Sequence, residues 1–466
     1  MTEDDVRAAA KRLVDFHERF APLFGKEQAQ GHAYTYVKGL MVCPERKSIE
    51  PIALHVGNGQ VSALQKFIDI APWDYQDIQA ELQAVFAAEL VPPAGSDPVG
   101  VVGIIDESAF SKKGDQSVGV ARQHNGRLGK EDNCQVGVFL VGAAPGGVAL
   151  LDHRIFLPES WCEDTPTGRA RRAKVHIPES IGFATKPQIA AAMIRQTVVL
   201  DQVRLDWITA DELYGRNGEF LDELEELELR YVVEVPVTTT GWTADPATCI
   251  PEYGGRGRVP TLPSRESVRS VRDLAASWEP SRWQRLCVGQ GAKGPLVFEF
   301  AAERVWAVRH GKAGPPCWLV VRRSLEATPE VKYYISNGRA ETPLGVLARV
   351  ACARHRVEDF LEDSKSYLGM AQYETRSWIG WHHHMSLIGL AHLFITLTQR
   401  DLKKKTPELT LDRTVRLLQT AIKLPAVSLG MAIRLVEYHI RRNEIARKSH
   451  TKTWMAKHPK TIYLLL

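Results

Sequence analysis

Between residues 99 and 236, short apolar runs alternate first with turn residues and then with helical segments. VGVVGIID, QVGVFLVGAA and GVALLDHRIFLP have the composition of buried strands, and the APGG between the last two predicts a hairpin. Helix-like and strand-like segments then alternate from KPQIAAAMIRQTVVL to RYVVEV. This order predicts three antiparallel strands followed by helix, strand, helix and strand. It favours an α/β fold with a mixed sheet flanked by helices over a plain βαβ series.

The flanking regions have different patterns. Apolar spacing is helical before residue 95, where VPPAGSDP marks a boundary, and again from residue 341 onward. TPLGVLARVACARHRVEDFLEDSKSYLG predicts one long helix that ends near Gly369. We therefore expect a helical N-terminal domain (1–95), the first part of the sheet core (96–236), a β-rich insertion (237–340), the last part of the core (341–400) and a basic helical C-terminal region (401–466).

The composition limits the class of protein. Among 466 residues, 44% are hydrophobic and 24% are charged, which are values of globular proteins. The seven cysteines form no C-x-x-C pair, which argues against a zinc knuckle or a disulfide framework. The acidic N-terminus does not resemble a signal peptide, and no apolar stretch is long enough for a membrane span. We expect a cytoplasmic protein. Residues 441–460 hold seven Lys or Arg and one acid, which suits either a polyanion or a solvated end.

Two of the strand-like segments end in an acid. Asp106 terminates VVGIID, and Asp211 directly follows VRLDWITA. A carboxylate next to a buried strand is costly unless it is paired or binds a metal. Mg²⁺ takes one or two carboxylates and completes its shell with water and phosphate oxygens, and two ions about 4 Å apart can support phosphodiester transfer. Asp is also favoured at turns and helix caps, so each residue alone has a structural interpretation too.

A third acid is expected from the predicted helix before Gly369. Arg354, Glu358 and Lys365 lie on one face of this helix because of their i,i+4 and i,i+7 spacing. Cations beside a metal-bound acid would hold phosphates, the Arg in bidentate fashion and the Lys as a point charge. An ordinary solvated helix with ion pairs would show the same spacing. The residues alone leave four candidates for this acid: Glu358, Asp359, Glu362 and Asp363.

Several stretches, taken together and in order, resemble one protein family. They include YVKGLM, IIDESAFSKKG, SVGVARQHNGRLGKEDNCQVGV, LDHRIFLPESW, FATKPQ, ITADELYG and RVEDFLEDSKSYLG, followed by YETRSWIGWHHHMSL. Between about residues 35 and 395 the chain resembles bacterial insertion-sequence transposases of the DDE type in the IS-four-like superfamily, and within it the IS-seven-oh-one group. The resemblance implies an RNase H-like core with a triad of acids at Asp106, Asp211 and Glu358. These acids are expected to act in catalysis and to bind two Mg²⁺ ions, for which Mn²⁺ can substitute.

The choice of Glu358 rests on the superfamily signature Tyr-x2-Arg-x3-Glu-x6-Lys. Arg354, Glu358 and Lys365 fit it, whereas Ala351 stands at the Tyr position, so no tyrosine role is carried over. A second Tyr-x2-Arg at residues 373–376 has Gly380 in place of the Glu and is rejected.

Other cations are candidates for DNA contact. Arg354 and Lys365 are expected to hold phosphates beside the acids, and further cations follow Asp106 at Lys112, Lys113, Arg122, Arg127 and Lys130. A solvated hairpin would account equally well for this second set. Residues 382–384 form a run of three histidines, but neighbouring side chains on a helix point in different directions, so we expect a structural role rather than a metal site.

The resemblance also implies the partners. We expect double-stranded DNA as the substrate, both the terminal inverted repeats of a transposon and the target, with the N-terminal domain helping to recognise the repeats. We expect a homodimer or larger assembly on DNA and no membrane association. Two alternatives share the fold: an RNase H-like nuclease or junction resolvase that cuts without joining, and a domesticated DNA-binding protein without catalysis.

Overall fold

The computed structural model describes residues 1–126, 128–250, 267–291, 294–424 and 429–457. Its first part is helical, as the apolar spacing predicts. Thr2 begins the first helix with a capping box, in which its side chain accepts from the Asp5 backbone and its own N–H donates to the Asp5 carboxylate. The helices that precede the sheet are α1 (Glu3–Phe20), α2 (Glu27–Val42), α3 (Ile49–His55), α4 (Val61–Asp69) and α5 (Tyr75–Leu90).

The sheet core begins with four strands, β1 (Val102–Ser111), β2 (Ala121–Asn125), β3 (Lys130–Ala144) and β4 (Gly147–Phe156). Strand β3 pairs antiparallel with the other three. Two further strands, β5 (Trp207–Thr209) and β6 (Arg230–Val235), extend the sheet in parallel from β1. The predicted mixed sheet is therefore confirmed. The helices among these strands are α6 (Pro166–Lys174), α7 (Lys186–Leu200), α8 (Glu212–Gly215) and α9 (Gly218–Glu226).

The segment predicted as a β-rich insertion continues the same sheet. Its elements are β7 (Thr240–Trp242), β8 (Arg269–Ser270), α10 (Val271–Ala276), β9 (Gln284–Gly291), β10 (Gly294–Arg309), β11 (Lys312–Arg323) and β12 (Val331–Ser336). Residues 251–266 and 292–293 of this segment lie outside the described ranges. Strand β12 pairs antiparallel with β6, and the order across the sheet is β2-β3-β1-β5-β6-β12-β11-β10-β7-β8.

The long helix predicted before Gly369 is divided in two, so that prediction was wrong. Helix α11 (Leu344–Ala353) ends directly before Arg354, and α12 (His355–Tyr367) begins directly after Arg354. No Gly or Pro marks the break, but at this junction the Arg354 guanidinium contacts acids on β1, β6 and α12. The division is thus associated with long-range contacts that local sequence does not report. The C-terminal helices are α11 (Leu344–Ala353), α12 (His355–Tyr367), α13 (Trp378–Lys403), α14 (Leu411–Ala421) and α15 (Leu429–Lys457).

Helix α13 lies at the centre of the molecule. Most of its side chains are buried, and it packs against β4 of the sheet and against α2, α4 and α5. A helix that is apolar on nearly all sides is expected to be enclosed by protein in this way. The N-terminal helices and the sheet consequently share one hydrophobic core. Among the described residues, no helix is both long and apolar enough to cross a bilayer.

Candidate active site

Strand β1 does not end at Asp106, contrary to the prediction, because its pairing with β3 continues to Ser111. Its pairing with β5, in contrast, covers only Val102 to Ile104, since β5 ends at Thr209. On that side, β1 has an open edge from residue 105 onward. The end of the short neighbour β5, rather than the end of β1 itself, leaves room for side chains near Asp106.

Asp211 lies at this open edge, two residues after β5. It is the N-cap of α8, and its Oδ1 accepts a hydrogen bond from the Leu213 backbone at 2.9 Å. Carboxylate oxygens of Asp106, Glu107 and Asp211 all lie within 4.8 Å of one another. In the described part of the chain, no other set of three His, Cys, Asp or Glu residues is so arranged. The structure thus brings together the two predicted aspartates and adds a glutamate.

The electrostatics of the group favour a bound cation. Burial raises the pKa of Asp106 to about 7, and the nearby Asp211 charge adds to the rise while the Arg354 guanidinium opposes it. Burial also raises the pKa of Asp211, and the charge of Glu107 adds to this shift. Partly buried carboxylates at this spacing repel one another when they are ionised, and a bound divalent cation relieves that repulsion. Their hard oxygen atoms suit Mg²⁺ or Mn²⁺.

Glu107 was not among the predicted site residues. Neighbouring residues of a strand normally point to opposite faces, so nothing in the strand pattern predicts that Glu107 lies beside Asp106. In the structure, Lys186 Nζ donates to its Oε1 at 2.6 Å, and the Tyr214 hydroxyl donates to its Oε2 at 2.8 Å. One signal was available, because Lys186 and Tyr214 belong to the stretches FATKPQ and ITADELYG that carry the family resemblance.

Glu358 is separated from the cluster of Asp106, Glu107 and Asp211 by the side chain of Arg354. The Arg354 Nη1 is 3.4 Å from Asp106 Oδ2, and its Nη2 donates to Glu358 Oε1 at 2.8 Å. Its Nε lies 3.8 Å from a carboxylate oxygen of the buried Glu234. A hydrogen bond from His355 lowers the pKa of Glu358, although partial burial opposes this effect. The predicted pair of Arg354 and Glu358 thus reaches the site, but Arg354 separates Glu358 from the three clustered carboxylates.

The other predicted cations lie at different distances from the acids. The Lys365 ammonium donates to the hydroxyl of Ser108, two residues from Asp106 along β1. The Lys112 ammonium lies 3.3 Å from the centroid of the Tyr373 ring, and burial lowers its pKa to about 7. Since a strand rises about 3.4 Å per residue, Lys112 is roughly 20 Å from Asp106 along the chain. Three further cations of this segment have exposed side chains: Lys113, Arg122 and Lys130. Arg127 lies outside the described residues. Contact of these residues with DNA stays a prediction.

The three consecutive histidines are structural. His382 Nδ1 contacts the Trp378 carbonyl, and both ring nitrogens of His383 contact backbone carbonyls of residues 68 and 73. His384 Nδ1 lies 2.9 Å from the hydroxyl of Tyr36. All three are buried and face different neighbours, which agrees with the expectation that they do not bind one metal ion.

Comparisons with known proteins identify the family of the chain. The family model described as DDE superfamily endonuclease matches residues 19–295, which is more than half of the chain. The match includes Asp106, Glu107 and Asp211 but ends before Glu358. The chain is also 29% identical over 193 residues to the probable transposase for insertion sequence element IS701 from Microchaete diplosiphon. That alignment covers 41% of this chain and 45% of the relative, so the chain spans less than half of the relative's length.

These comparisons confirm the predicted resemblance to DDE insertion-sequence transposases and the RNase H-like class of the core. Because the family model matches more than half of the chain, the chain belongs to the DDE superfamily endonucleases.

Proposed function

We propose that the protein is a DNA transposase that uses Mg²⁺ to hydrolyse the phosphodiester bond at a transposon end and then joins the freed 3′-OH to target DNA. The observation that carries this proposal is the proximity of Asp106 and Asp211 at the end of β5. The likeness to a probable insertion-sequence transposase selects transposition among the reactions of endonucleases.

Asp106, Asp211 and Glu358 would hold the metal in this proposal. When bound, divalent ions lower the pKa of an attacking water and stabilise the charge on the leaving oxygen. The protein groups would position the DNA. Arg354 contacts both Asp106 and Glu358 and would neutralise a phosphate beside them. Lys365, which lies against β1, would hold the neighbouring phosphate. No side chain forms a covalent bond to DNA, so the enzyme would act by positioning and charge stabilisation.

The proposed partners follow from this reaction. The substrates are the terminal inverted repeats and target DNA, both double-stranded, and the protein assembles on them as a dimer or larger. The N-terminal helices would help to recognise the repeats. The exposed basic half of α15 would contribute non-specific phosphate contacts, which weaken as the salt concentration rises. The proposed reaction would take place in the cytoplasm.

The test uses the full-length protein with Mg²⁺ or Mn²⁺, linear DNA carrying the ends that flank the gene, and a target plasmid. We expect release of 3′-OH ends and their joining to the plasmid. Asp211→Asn should remove both activities, because it halves the negative charge of the Asp106–Asp211 pair while keeping an N-cap oxygen for α8.

Each outcome is distinct. Cleavage and joining that both depend on Asp211 support the transposase. Cleavage without joining would favour a nuclease, and specific DNA binding without cleavage in either metal would favour a non-catalytic DNA-binding protein.

A further inference from the structure

We propose that Glu107 is a further protein ligand of the metal ion held by Asp106 and Asp211, and that Tyr214 and Lys186 orient its carboxylate. This inference rests on the metal-dependent reaction proposed above and adds residues that neither the DDE triad nor the signature around Glu358 includes.

The position of Glu107 is set by the open edge of β1. Beyond Ile104, β1 has no partner on the side of β5, so side chains there can turn toward the strand edge. A Glu107 oxygen lies within 4.8 Å of oxygens from both Asp106 and Asp211. Each of the three carboxylates thus offers one oxygen to the same space, where a divalent cation that prefers hard oxygen ligands can lie.

Two hydrogen-bond donors hold the Glu107 carboxylate. The Tyr214 hydroxyl and the Lys186 ammonium donate to different oxygens of the carboxylate, at 2.8 and 2.6 Å. An ionised carboxylate offers about four lone-pair sites, so two donors leave sites on each oxygen for a cation. Such partners of a ligand are what set its direction in metal sites.

Burial holds the Tyr214 side chain in place, and a helix cap fixes the backbone at Lys186. Tyr214 is fully buried and follows Asp211 by three residues, so the single turn of α8 carries one metal-binding carboxylate and the donor that orients another. Lys186 is the first residue of α7, whose start is fixed by a capping box between Thr185 and Gln188. Helices α7 and α8 thus each supply one donor that holds the Glu107 carboxylate.

A purely structural ion pair explains this arrangement less well. An ion pair with Lys186 does not require the Glu107 carboxylate to lie near other acids. The carboxylate nevertheless lies close to those of Asp106 and Asp211. Carboxylate oxygens of the three acids lie within 4.8 Å of one another, and ionised carboxylates at this spacing repel, so this direction is unfavourable for the protein by itself. A bound divalent cation turns the same proximity into a favourable interaction.

The test measures Mn²⁺ affinity of the full-length protein, with free Mn²⁺ followed by its electron paramagnetic resonance signal. Loss of a ligand, or of the partner that orients it, should weaken binding by about 10–100-fold. We expect Glu107→Gln to lie toward the upper end of this range and Tyr214→Phe toward the lower end. Circular dichroism of each variant verifies that it folds.

Tyr231→Phe is the matched control. Tyr231 is also fully buried and donates to a glutamate, Glu225, at 2.8 Å, but it lies outside the acid cluster. Removal of its hydroxyl should lower stability without changing Mn²⁺ affinity. A weaker affinity for Glu107→Gln and Tyr214→Phe, but not for Tyr231→Phe, supports the assignment.

Failure of the inference can be separated from failure of the proposed function. If Asp211→Asn loses Mn²⁺ binding while Glu107→Gln binds as the wild type does, Glu107 is not a ligand and the metal-dependent reaction still stands. If the wild-type protein binds no Mn²⁺, both are overturned.

Discussion

The carboxylate of Asp211 has two kinds of neighbour. Its Oδ1 caps α8 by accepting from the Leu213 backbone, and its oxygens also lie near those of Asp106 and Glu107. The structural and the catalytic interpretations of this aspartate therefore do not exclude each other. At the scale of single residues, the cap holds the side chain in place, and the fixed side chain is available to a metal ion.

A second acidic group, on α12 and α14, gives a prediction about pH. Burial raises the pKa of Asp363 to about 7, and the charges of Asp359, Glu362 and Asp412 add to this effect. Because the folded state holds this proton more tightly than a free carboxyl of pKa 3.8, stability is lost as the pH rises from about 4 to about 7. Asp363→Asn should therefore stabilise the protein at pH 8 by about 1 kcal/mol, a value reduced for solvent screening.

Urea unfolding of the wild type and the variant at pH 8 and pH 4 measures this difference. The gain should vanish at pH 4, where Asp363 is protonated in the folded state. The exposed Asp15 on α1 offers a control, since Asp15→Asn should give no comparable gain at pH 8. Equal stability of wild type and Asp363→Asn at pH 8 would contradict the prediction.

At the scale of elements, the site depends on how closely α8 packs against β6. A Cβ added at Gly215, the last residue of α8, would come within 2.0 Å of the Glu234 backbone oxygen. Only glycine permits this approach. Because α8 carries both Asp211 and Tyr214, its distance from β6 also sets where these two side chains stand relative to β1.

Gly215→Ala should consequently lower both stability and metal affinity. A displacement of backbone of this kind costs typically about 1–3 kcal/mol. Gly31→Ala is the control, because Gly31 lies inside α2 and nothing stands within 4 Å of its added Cβ. That change should stabilise the protein by about 0.5–1 kcal/mol.

Thermal unfolding and Mn²⁺ titration of both variants would test this pair. Gly215→Ala with the stability and the Mn²⁺ affinity of the wild type would show that α8 can move away from β6 freely.

At the scale of the whole molecule, α13 joins regions that are distant in the chain. It packs on β4 and on α2, α4 and α5, and its buried His384 contacts Tyr36 of α2. The N-terminal helices therefore cover apolar surface that the rest of the chain cannot cover alone.

Deletion of residues 1–95 should prevent the remainder from folding as a soluble protein, because it exposes α13 and the adjoining face of β4 to water. A chain that ends after residue 424 is the control, since the described side chains of α15 are largely exposed. That truncation should retain the fold. Gel filtration and circular dichroism distinguish the results, and a folded, soluble protein without residues 1–95 would contradict this prediction.

The sequence by itself determined much of the architecture. Apolar periodicity predicted the N-terminal helices, the three antiparallel strands, the two later strands of the mixed sheet and the helices after residue 341, because periodicity reports which face of an element meets the core. Residue chemistry predicted Asp106 and Asp211 as a pair, since acids beside buried strands need a partner. The assignment of Glu358 rested on family resemblance, and its role stays a prediction.

The tertiary structure alone decided three features of the site. Strand β1 passes Asp106 because β3 continues to pair with it, and helix α11 ends before Arg354, whose guanidinium contacts acids on three elements. Glu107 joins the aspartates because β5 is short. Each feature depends on at least one contact between residues more than 20 positions apart, such as that of Arg354 with Asp106, and local propensity carries no information about such contacts.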